Sequence, residues 1–292
     1  MKQAPLIALF ISIIGVSFAA VIIRTCNAPP LIISFYRLLF TTLLLLPVLF
    51  AIPKFRNQLK IISKKEYLIM TGIGIILALH FTFWVTSLQF TSVASSVILV
   101  TSHPVLVAPL SYFFLKERIS KINMIGITIS LLGVIILVYG NYNGPFTQSS
   151  TLFGNILALL GGAAAGLYIL GGRYLRRTIS VIIYALIVYA IATTVLLGFV
   201  LISQLELFTI SQDDLLLILI MAIVSGIGGH TLYNWSLAHI RASLASVALL
   251  GEPIGSALLA YILPWINEIP TTWTFIGGAI VLTGVYLTAR EK

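Results

Sequence analysis

The sequence predicts an all-α integral membrane protein with ten transmembrane helices, arranged as two inverted repeats of five helices each. Three observations lead to this prediction: an apolar composition, ten separate apolar segments, and a passage that occurs twice. Hydrophobic residues make up 59% of the 292-residue chain and charged residues only 9%. Because a soluble domain carries about 25% charged residues, most of this chain is expected to lie in a lipid bilayer.

Ten stretches are long and apolar enough to cross a bilayer, which takes about 20 mainly apolar residues. They cover residues 5–23, 31–52, 67–87, 93–115, 122–140, 152–171, 180–203, 215–236, 243–264 and 272–289. We expect the first stretch to be a retained span, because its apolar core exceeds the roughly 7–15 residues of a signal peptide. Together the ten stretches leave no room for a soluble domain of ordinary size.

Basic residues concentrate on one side of the predicted topology. With the amino terminus inside, the inner loops and the chain ends hold all 17 Lys and Arg residues except Arg24 and Arg37. An excess of positive charge marks the cytoplasmic side of a membrane protein, so both termini are predicted to be cytoplasmic. No basic cluster sits on a soluble module, which argues against a nucleic-acid partner.

One passage of the first half recurs in the second half. Residues 92–115 and 241–264 align so that Pro104 falls on Pro253. The residue before each proline is ionisable, His103 in the first copy and Glu252 in the second. A duplicated apolar segment that is broken beside a titratable group is a pattern found in membrane transporters.

The polar stretch 141–151 (NYNGPFTQSST) divides the chain into two halves. Its glycine and proline are typical of a turn, so it is predicted to be an outer linker between repeats 1–140 and 152–292. Each repeat holds five spans. Because five is an odd number, the second repeat enters the membrane with the opposite polarity, which is the arrangement of an inverted repeat.

Further motifs follow the same order in both halves. The first half carries Arg37 in SFYRLLF, then Ser95 and Ser96, and it closes on Gly126 and Gly133; the second repeats this with GNILALLGGAAAGLYIL, ASLASVALLGEP and GGAIVLTGVYL. Over almost its whole length the chain thus resembles the drug/metabolite transporter superfamily, in its ten-span EamA family with two EamA domains. One departure is that Lys116-Glu117 stands where the family commonly has glycine-glutamate.

The resemblance implies a bundle around a central cavity, lined mainly by the third, fourth, eighth and ninth spans. It also implies a secondary transporter of small organic metabolites in the plasma (inner) membrane, working by alternating access. Amino acids or related compounds are favoured as substrates, and export is favoured over uptake. Uptake or exchange of a nucleotide-like metabolite stays open as an alternative, and so does the choice between monomer and homodimer. The predicted partners are the substrate, the lipid bilayer and protons.

Five ionisable residues lie inside the predicted spans, where a charged side chain costs about 2.5–3.5 kcal/mol at the bilayer centre. They are Arg37, His80, His103, His230 and Glu252. Ionisable residues within a membrane almost always face a cavity or a partner. We therefore predict that the three histidines and the glutamate belong to the cavity.

Glu252 and its counterpart His103 are the predicted coupling residues. Burial disfavours the charged form of a carboxyl group, so Glu252 could carry a proton or bind a substrate ammonium. Alternatively, it is a neutral acid that bonds the backbone carbonyl freed by Pro253. His103 could pair with Glu252 across the cavity or bind a carboxylate; alternatively, it is a packed histidine satisfied by Ser102.

Aromatic residues are predicted to line the same cavity. His80 and Trp84 are four residues apart and share one helical face. His230, Tyr233 and Asn234 form a similar group in the eighth span, after a glycine-rich stretch that favours a loosened helix or close packing. Such a wall could hold an apolar metabolite, or a cation against the ring faces. Ordinary packing and, for Tyr233, an interfacial position are the alternatives.

Arg37 and the two prolines complete the candidate residues. Arg37 could attract an anionic substrate or anchor helices by bonding their carbonyl ends, and its match to a general family position favours the anchor. Pro104 and Pro253 are expected to break corresponding helices and free backbone groups for the cavity.

No motif of a known enzyme class is present. The sequence lacks H-E-x-x-H, G-x-S-x-G, a phosphate-binding loop and an Asp-rich metal motif. Its single cysteine, Cys26, excludes an internal disulfide and a cysteine-based metal site. We therefore expect no catalytic residue, metal or cofactor. The remaining alternative of another class is a membrane structural or regulatory protein that transports nothing.

Overall fold

A computed structural model describes residues 3–140, 148–263 and 272–289. Within these ranges the regular elements are helices, in chain order α1 (Gln3–Thr25), α2 (Pro30–Ala51), α3 (Pro53–Lys60), α4 (Lys64–Ser87), α5 (Val93–Val100), α6 (Pro104–Leu115), α7 (Lys121–Gly140), α8 (Gln148–Leu175), α9 (Val181–Ile202), α10 (Gln212–Met221), α11 (Leu232–Ser236), α12 (Ala242–Ala248), α13 (Glu252–Ile262) and α14 (Thr272–Ala289). A π-helical stretch, Ala222–Thr231, joins α10 to α11, and a 3₁₀ turn, Leu249–Gly251, joins α12 to α13. Most of the predicted linker 141–151 lies outside the described residues.

The helices confirm the predicted all-α membrane fold. In the described part of the chain, eight segments are long and apolar enough to cross a membrane, and two shorter apolar helices lie within α7 and α14. Each of these segments overlaps one of the ten predicted windows. The segment Ser95–Leu115 contains the break between α5 and α6, and Ala242–Ile262 contains the break between α12 and α13.

Helix α3 is a short element that the apolar pattern did not predict. It occupies a stretch expected to be a loop, and none of its residues is buried. Pro53 stands in its first turn, where the missing N–H has no helical partner to lose. The next helix, α4, begins with a capping box in which Ser63 Oγ accepts a bond from the Glu66 N–H at 3.2 Å.

Both broken spans are interrupted directly before the predicted prolines. Helix α5 ends at Val100, and α6 begins at Pro104. In the second half, Pro253 stands in the first turn of α13, directly after the 3₁₀ turn. Proline has no N–H to donate to the carbonyl four residues earlier. The Leu249 carbonyl oxygen, four residues before Pro253, accepts instead from the Glu252 N–H, in the 3₁₀ turn.

Each break packs against the first helix of the opposite half. A Cβ at Gly162 on α8 would lie 2.7 Å from the Val100 carbonyl oxygen, so glycine is what lets α8 approach the first break. At the second break, Ser17 on α1 donates a 3.4 Å hydrogen bond to the Glu252 carbonyl oxygen. Ser256 then donates to the Ser17 carbonyl oxygen at 3.0 Å. Each half thus supplies the helix that packs on the break of the other half.

Helices α7 and α14 pack closely through the glycines that the sequence spaces seven residues apart. A Cβ at Gly126 would collide with the Gly284 carbonyl oxygen, and one at Gly133 with that of Gly277. Small residues at such positions allow two helix backbones to approach each other.

Candidate functional site

A central cavity lies between the two halves of the bundle. Six of the predicted site residues line it, namely His80, Trp84, His103, His230, Tyr233 and Glu252. The space open to the centres of water molecules is about 50 Å³. Since one water needs about 10–15 Å³ on this measure, the cavity has room for a few waters only. An amino acid would require it to widen.

The two halves are joined at both ends of this cavity. At the end where α5 and α8 begin, Thr91 Oγ1 donates to Asn155 Oδ1 at 3.0 Å. Near it, the Asn27 N–H donates to Asp214 Oδ1, also at 3.0 Å. A second set of contacts joins the halves at the end where α1 begins. Contacts between the two halves therefore bridge both ends of the cavity.

His80 is held by α8. Its Nδ1 lies 2.9 Å from the Gly161 carbonyl oxygen, and because a carbonyl can only accept, Nδ1 carries the proton. The ring stacks on Trp84 at a centroid distance of 5.8 Å and an interplanar angle of 13°. His80 and Trp84 thus form one flat wall of the cavity, as their spacing of four residues predicts.

His103 stands at the first break and bonds to the opposite half. Its Nδ1 lies 2.6 Å from Ser246 Oγ on α12. Ser102, the partner that the sequence suggested for a packed histidine, instead donates to the Leu99 carbonyl oxygen at 2.7 Å. His103 shares the cavity with Glu252, but the two do not form an ion pair within 4.0 Å.

Glu252 faces the cavity without a hydrogen bond to its carboxylate from the described residues. The residue is 7% exposed, and its bond to Ser17 involves the backbone oxygen alone. The carboxyl group therefore does not bond the carbonyl freed by Pro253. Burial of a polar group without a partner costs free energy, so Glu252 is suited to a partner that enters the cavity.

The three predicted residues of the eighth span differ in their contacts. His230 packs edge-on against Phe81 at 5.5 Å, and Tyr233 lines the cavity with a hydroxyl that has no hydrogen-bond partner among the described residues. Asn234 does not line the cavity. Its Nδ2 donates to the hydroxyl of Tyr168 at 2.5 Å and to the His230 carbonyl oxygen at 2.8 Å.

A π-helix sets the position of this group. Thr231 Oγ1 donates to the Gly226 carbonyl oxygen, five residues earlier, at 2.9 Å. Ser225 Oγ bonds the Gly15 carbonyl oxygen on α1 at 2.7 Å, so the π-helical stretch is tied to the first helix. π-Helical turns are frequent at functional sites. The glycine-rich sequence signalled a loosened helix here, but not its form.

Arg37 lies next to the cavity wall but not on its surface. The residue is 1% exposed, and its guanidinium carbon lies 4.6 Å from the centroid of the Phe81 ring and 5.8 Å from that of Trp84. Neither terminal nitrogen of the guanidinium has a hydrogen-bond partner among the described residues. These nitrogens therefore bond no helix carbonyl in this conformation.

Sequence reasoning missed several residues that shape the site. Phe81 supports both Arg37 and His230, and its place beside His80 in the sequence was the available signal. Ser17 and Ser246 contact the two breaks from the opposite half. Serines are common in membrane spans, and no local pattern marks these two.

A second charged cluster lies at the end of the bundle where α1 begins, outside the cavity. Glu117 is 6% exposed; its Oε1 accepts a 2.7 Å bond from Arg173 Nε, and its Oε2 accepts a 2.8 Å bond from the Ala242 N–H. Arg177 lies 3.6 Å from Oε1. We call these four residues the Glu117 clasp. It joins the end of α6 in the first half to α8 and α12 in the second.

Cys26 has no features of a nucleophile. Burial, followed by the nearby Asp214 carboxylate, raises the pKa of the Cys26 thiol to about 12. The thiolate is the reactive form of cysteine, so this thiol stays protonated and unreactive. Within the described residues, His, Cys, Asp and Glu form no group of three or more that could hold a metal ion.

Comparisons with known proteins match the chain over its full length. The model of the EamA-like transporter family matches residues 3–139 and 152–290. An uncharacterized transporter of Archaeoglobus fulgidus is 25% identical, with 100% of this chain and 98% of the relative aligned. The uncharacterized transporter YetK of Bacillus subtilis is 26% identical, over 98% of this chain and 86% of its own.

Two further similarities concern a named pump and a solved structure. A Salmonella typhimurium protein named as a probable amino-acid metabolite efflux pump is 22% identical, over 98% of this chain and 94% of its own. A crystal structure of another protein superposes with a TM-score of 0.77, covering 99% of this chain and 97% of that one at 17% identity. At that identity the similarity concerns the fold alone.

Proposed function

The chain belongs to the EamA-like transporter family, and we propose that within it this protein exports small organic metabolites, amino acids or related compounds foremost, in exchange for protons. The observation that carries the proposal is Glu252, a buried carboxylate that accepts no hydrogen bond from the described residues and lies on the wall of a cavity that both halves share. A group of this kind suits a partner that arrives and leaves.

The chemistry of the cavity wall supports this class of substrate. Glu252 would hold an ammonium group or a proton, but not both at once, which is the competition that proton exchange requires. His80, Trp84 and Tyr233 offer flat, largely apolar surfaces to a side chain. The Salmonella relative is named as a probable amino-acid metabolite efflux pump, which agrees in substrate class and direction.

The arrangement of the broken spans supports alternating access. In this mechanism one repeat, 1–140, rocks against the other, 152–292, around a fixed site near the membrane midplane. Each break packs on the opposite repeat, so a change in the angle between repeats acts directly on His103 and Glu252. The protein would reside in the plasma membrane with both termini on the cytoplasmic side, and the Glu117 clasp would close the cavity on that side.

Transport by purified protein tests the proposal. Proteoliposomes are loaded with a panel of labelled L-amino acids, and efflux is measured with and without an inward proton gradient. The expected result is efflux of at least one compound, accelerated by the gradient. Glu206→Gln, a change in the exposed loop before α10, should behave like the parent. If the parent moves no compound of the panel and Glu252→Gln alters only thermal stability, the proposal fails.

A further inference from the structure

The cavity and its surroundings hold several buried hydrogen-bond donors that have no partner. Among the described residues these include both terminal nitrogens of Arg37, the indole Nε1 of Trp84 and the hydroxyl of Tyr233. Buried polar groups are nearly always hydrogen-bonded, and an exception calls for an explanation. The cost of leaving one unpaired is greatest for a charged group, so Arg37 needs an explanation most.

The surroundings of Arg37 provide no stable internal partner. Its guanidinium packs on the faces of Phe81 and Trp84, which stabilise a cation but accept no strong hydrogen bond from it. Glu252 attracts it electrostatically, yet the two side chains form no ion pair within 4.0 Å. In this conformation the positive charge therefore lacks an anion in direct contact.

Trp84 connects Arg37 to the cavity. Its ring packs against the Arg37 guanidinium, and the same residue lines the cavity. For Arg37 to reach the cavity, the Trp84 ring would have to move as the cavity widens, which would bring the indole N–H and the Arg37 nitrogens towards the same space. Tyr233 lines that space as well. The exposed set would consist of donors, and it would face the unpaired acceptor Glu252.

We propose that Arg37, together with the Trp84 indole N–H, binds the carboxylate of the transported molecule while Glu252 binds its ammonium group. The substrate class is then a zwitterion that carries both groups, as an α-amino acid does. This inference rests on the proposed function and assigns a subsite within the same cavity. A guanidinium can hold a carboxylate through two parallel hydrogen bonds, which also fixes the orientation of the substrate.

The test compares each acid with its own amide. The compounds are L-leucine, L-threonine and L-phenylalanine and the amide of each. An amide keeps the ammonium group and the side chain but lacks the carboxylate. Each compound is measured in proteoliposome flux and in thermal stabilisation of the purified protein. We expect the parent to prefer each acid over its amide by about tenfold or more, the effect of a hydrogen bond to a charged group. Arg37→Gln should raise the half-saturating concentration of the acids by about tenfold and leave that of the amides unchanged.

Arg37→Lys provides the matched variant. It keeps the charge but not the two-pronged geometry, so it should recover part of the preference for the acid. If acids and amides lose activity equally in Arg37→Gln, the arginine is structural and the inference is wrong. If chloride stabilises the parent as strongly as the amino acids do, Arg37 binds a free anion instead and the inference is also wrong.

If Arg37→Gln does not fold, the parent protein alone still tests the inference. Competition of each unlabelled amide, or of the unlabelled acid, against the labelled acid then measures the preference for the acid directly. Equal inhibition by acid and amide would overturn the carboxylate subsite and leave the proposed transport function standing. If the parent transports neither acids nor amides, the proposed function itself fails, and the inference falls with it.

Discussion

Two buried carboxylates in this molecule are equally hidden from solvent and differ in what surrounds them. Glu117 and Glu252 are 6% and 7% exposed, and each attracts an arginine. Glu117 accepts bonds from Arg173 and from the Ala242 N–H. Within the described part of the chain, no group donates to the Glu252 carboxylate, and the arginine that it attracts, Arg37, has two terminal nitrogens without partners. Glu117 and Arg173 form an ion pair in direct contact, whereas Glu252 and Arg37 do not.

This difference separates a structural use of charge from a functional one. A buried ion pair is favourable only when geometry and additional hydrogen bonds offset the loss of hydration. The Glu117 clasp meets that condition by combining an ion pair with a bond to the first N–H of α12. Glu252 and Arg37 at the cavity lack such hydrogen bonds among the described residues. Their arrangement is explained if their partners are a proton and a substrate.

The largest effect is expected from removing the centre of the clasp. Glu117→Ala leaves the Arg173 charge without its carboxylate, and breaking a buried pair in this way costs about 3–5 kcal/mol. Thermal unfolding of the purified protein in detergent should show a strongly lowered melting temperature. Glu252→Gln, by contrast, removes a carboxylate that has no partner to lose, so its melting temperature should equal or exceed that of the parent. Equal destabilisation by the two changes would remove the distinction between the regions.

A smaller effect is expected where α8 packs against the first break. Gly162→Ala would place a methyl group 2.7 Å from the Val100 carbonyl oxygen at the first break, and overpacking of this kind costs about 1–3 kcal/mol. Gly72 on α4 has no atom within 4 Å of an added Cβ and provides the control. Gly72→Ala should raise helix stability slightly, by about 0.5–1 kcal/mol. If both variants have the melting temperature of the parent, α8 does not approach the break as closely as described.

The smallest effect is expected at the residue before the clasp. Lys116 adopts φ 56° and ψ 30° at the end of α6, the left-handed conformation that glycine adopts without a steric penalty. The resemblance to the EamA family placed a glycine here, and the backbone explains why. Lys116→Gly should stabilise the protein by up to about 1 kcal/mol, measured as a small rise in melting temperature. The same substitution at Lys60, the last residue of α3, should not raise it.

Local patterns in the sequence predicted the spans and both breaks. The length of an apolar segment and the position of a proline determine the structure of the residues next to them. The spacing of His80 and Trp84 likewise predicted their shared wall. Contacts between distant segments could not be predicted in this way. Nothing near His103 points to Ser246, and nothing near Arg37 shows whether a carbonyl lies within its reach. The π-helix was missed because its hydrogen bonds depend on packing against α1.

The central claim is that the unpaired carboxylate of Glu252 exchanges a proton for substrate. Its most direct test is accumulation of a transported amino acid in proteoliposomes under a pH gradient, with counterflow exchange measured in the same preparation. Glu252→Gln keeps the shape and polarity of the side chain but cannot ionise. We predict that this variant retains exchange and loses pH-driven accumulation. Accumulation equal to that of the parent would contradict the claim.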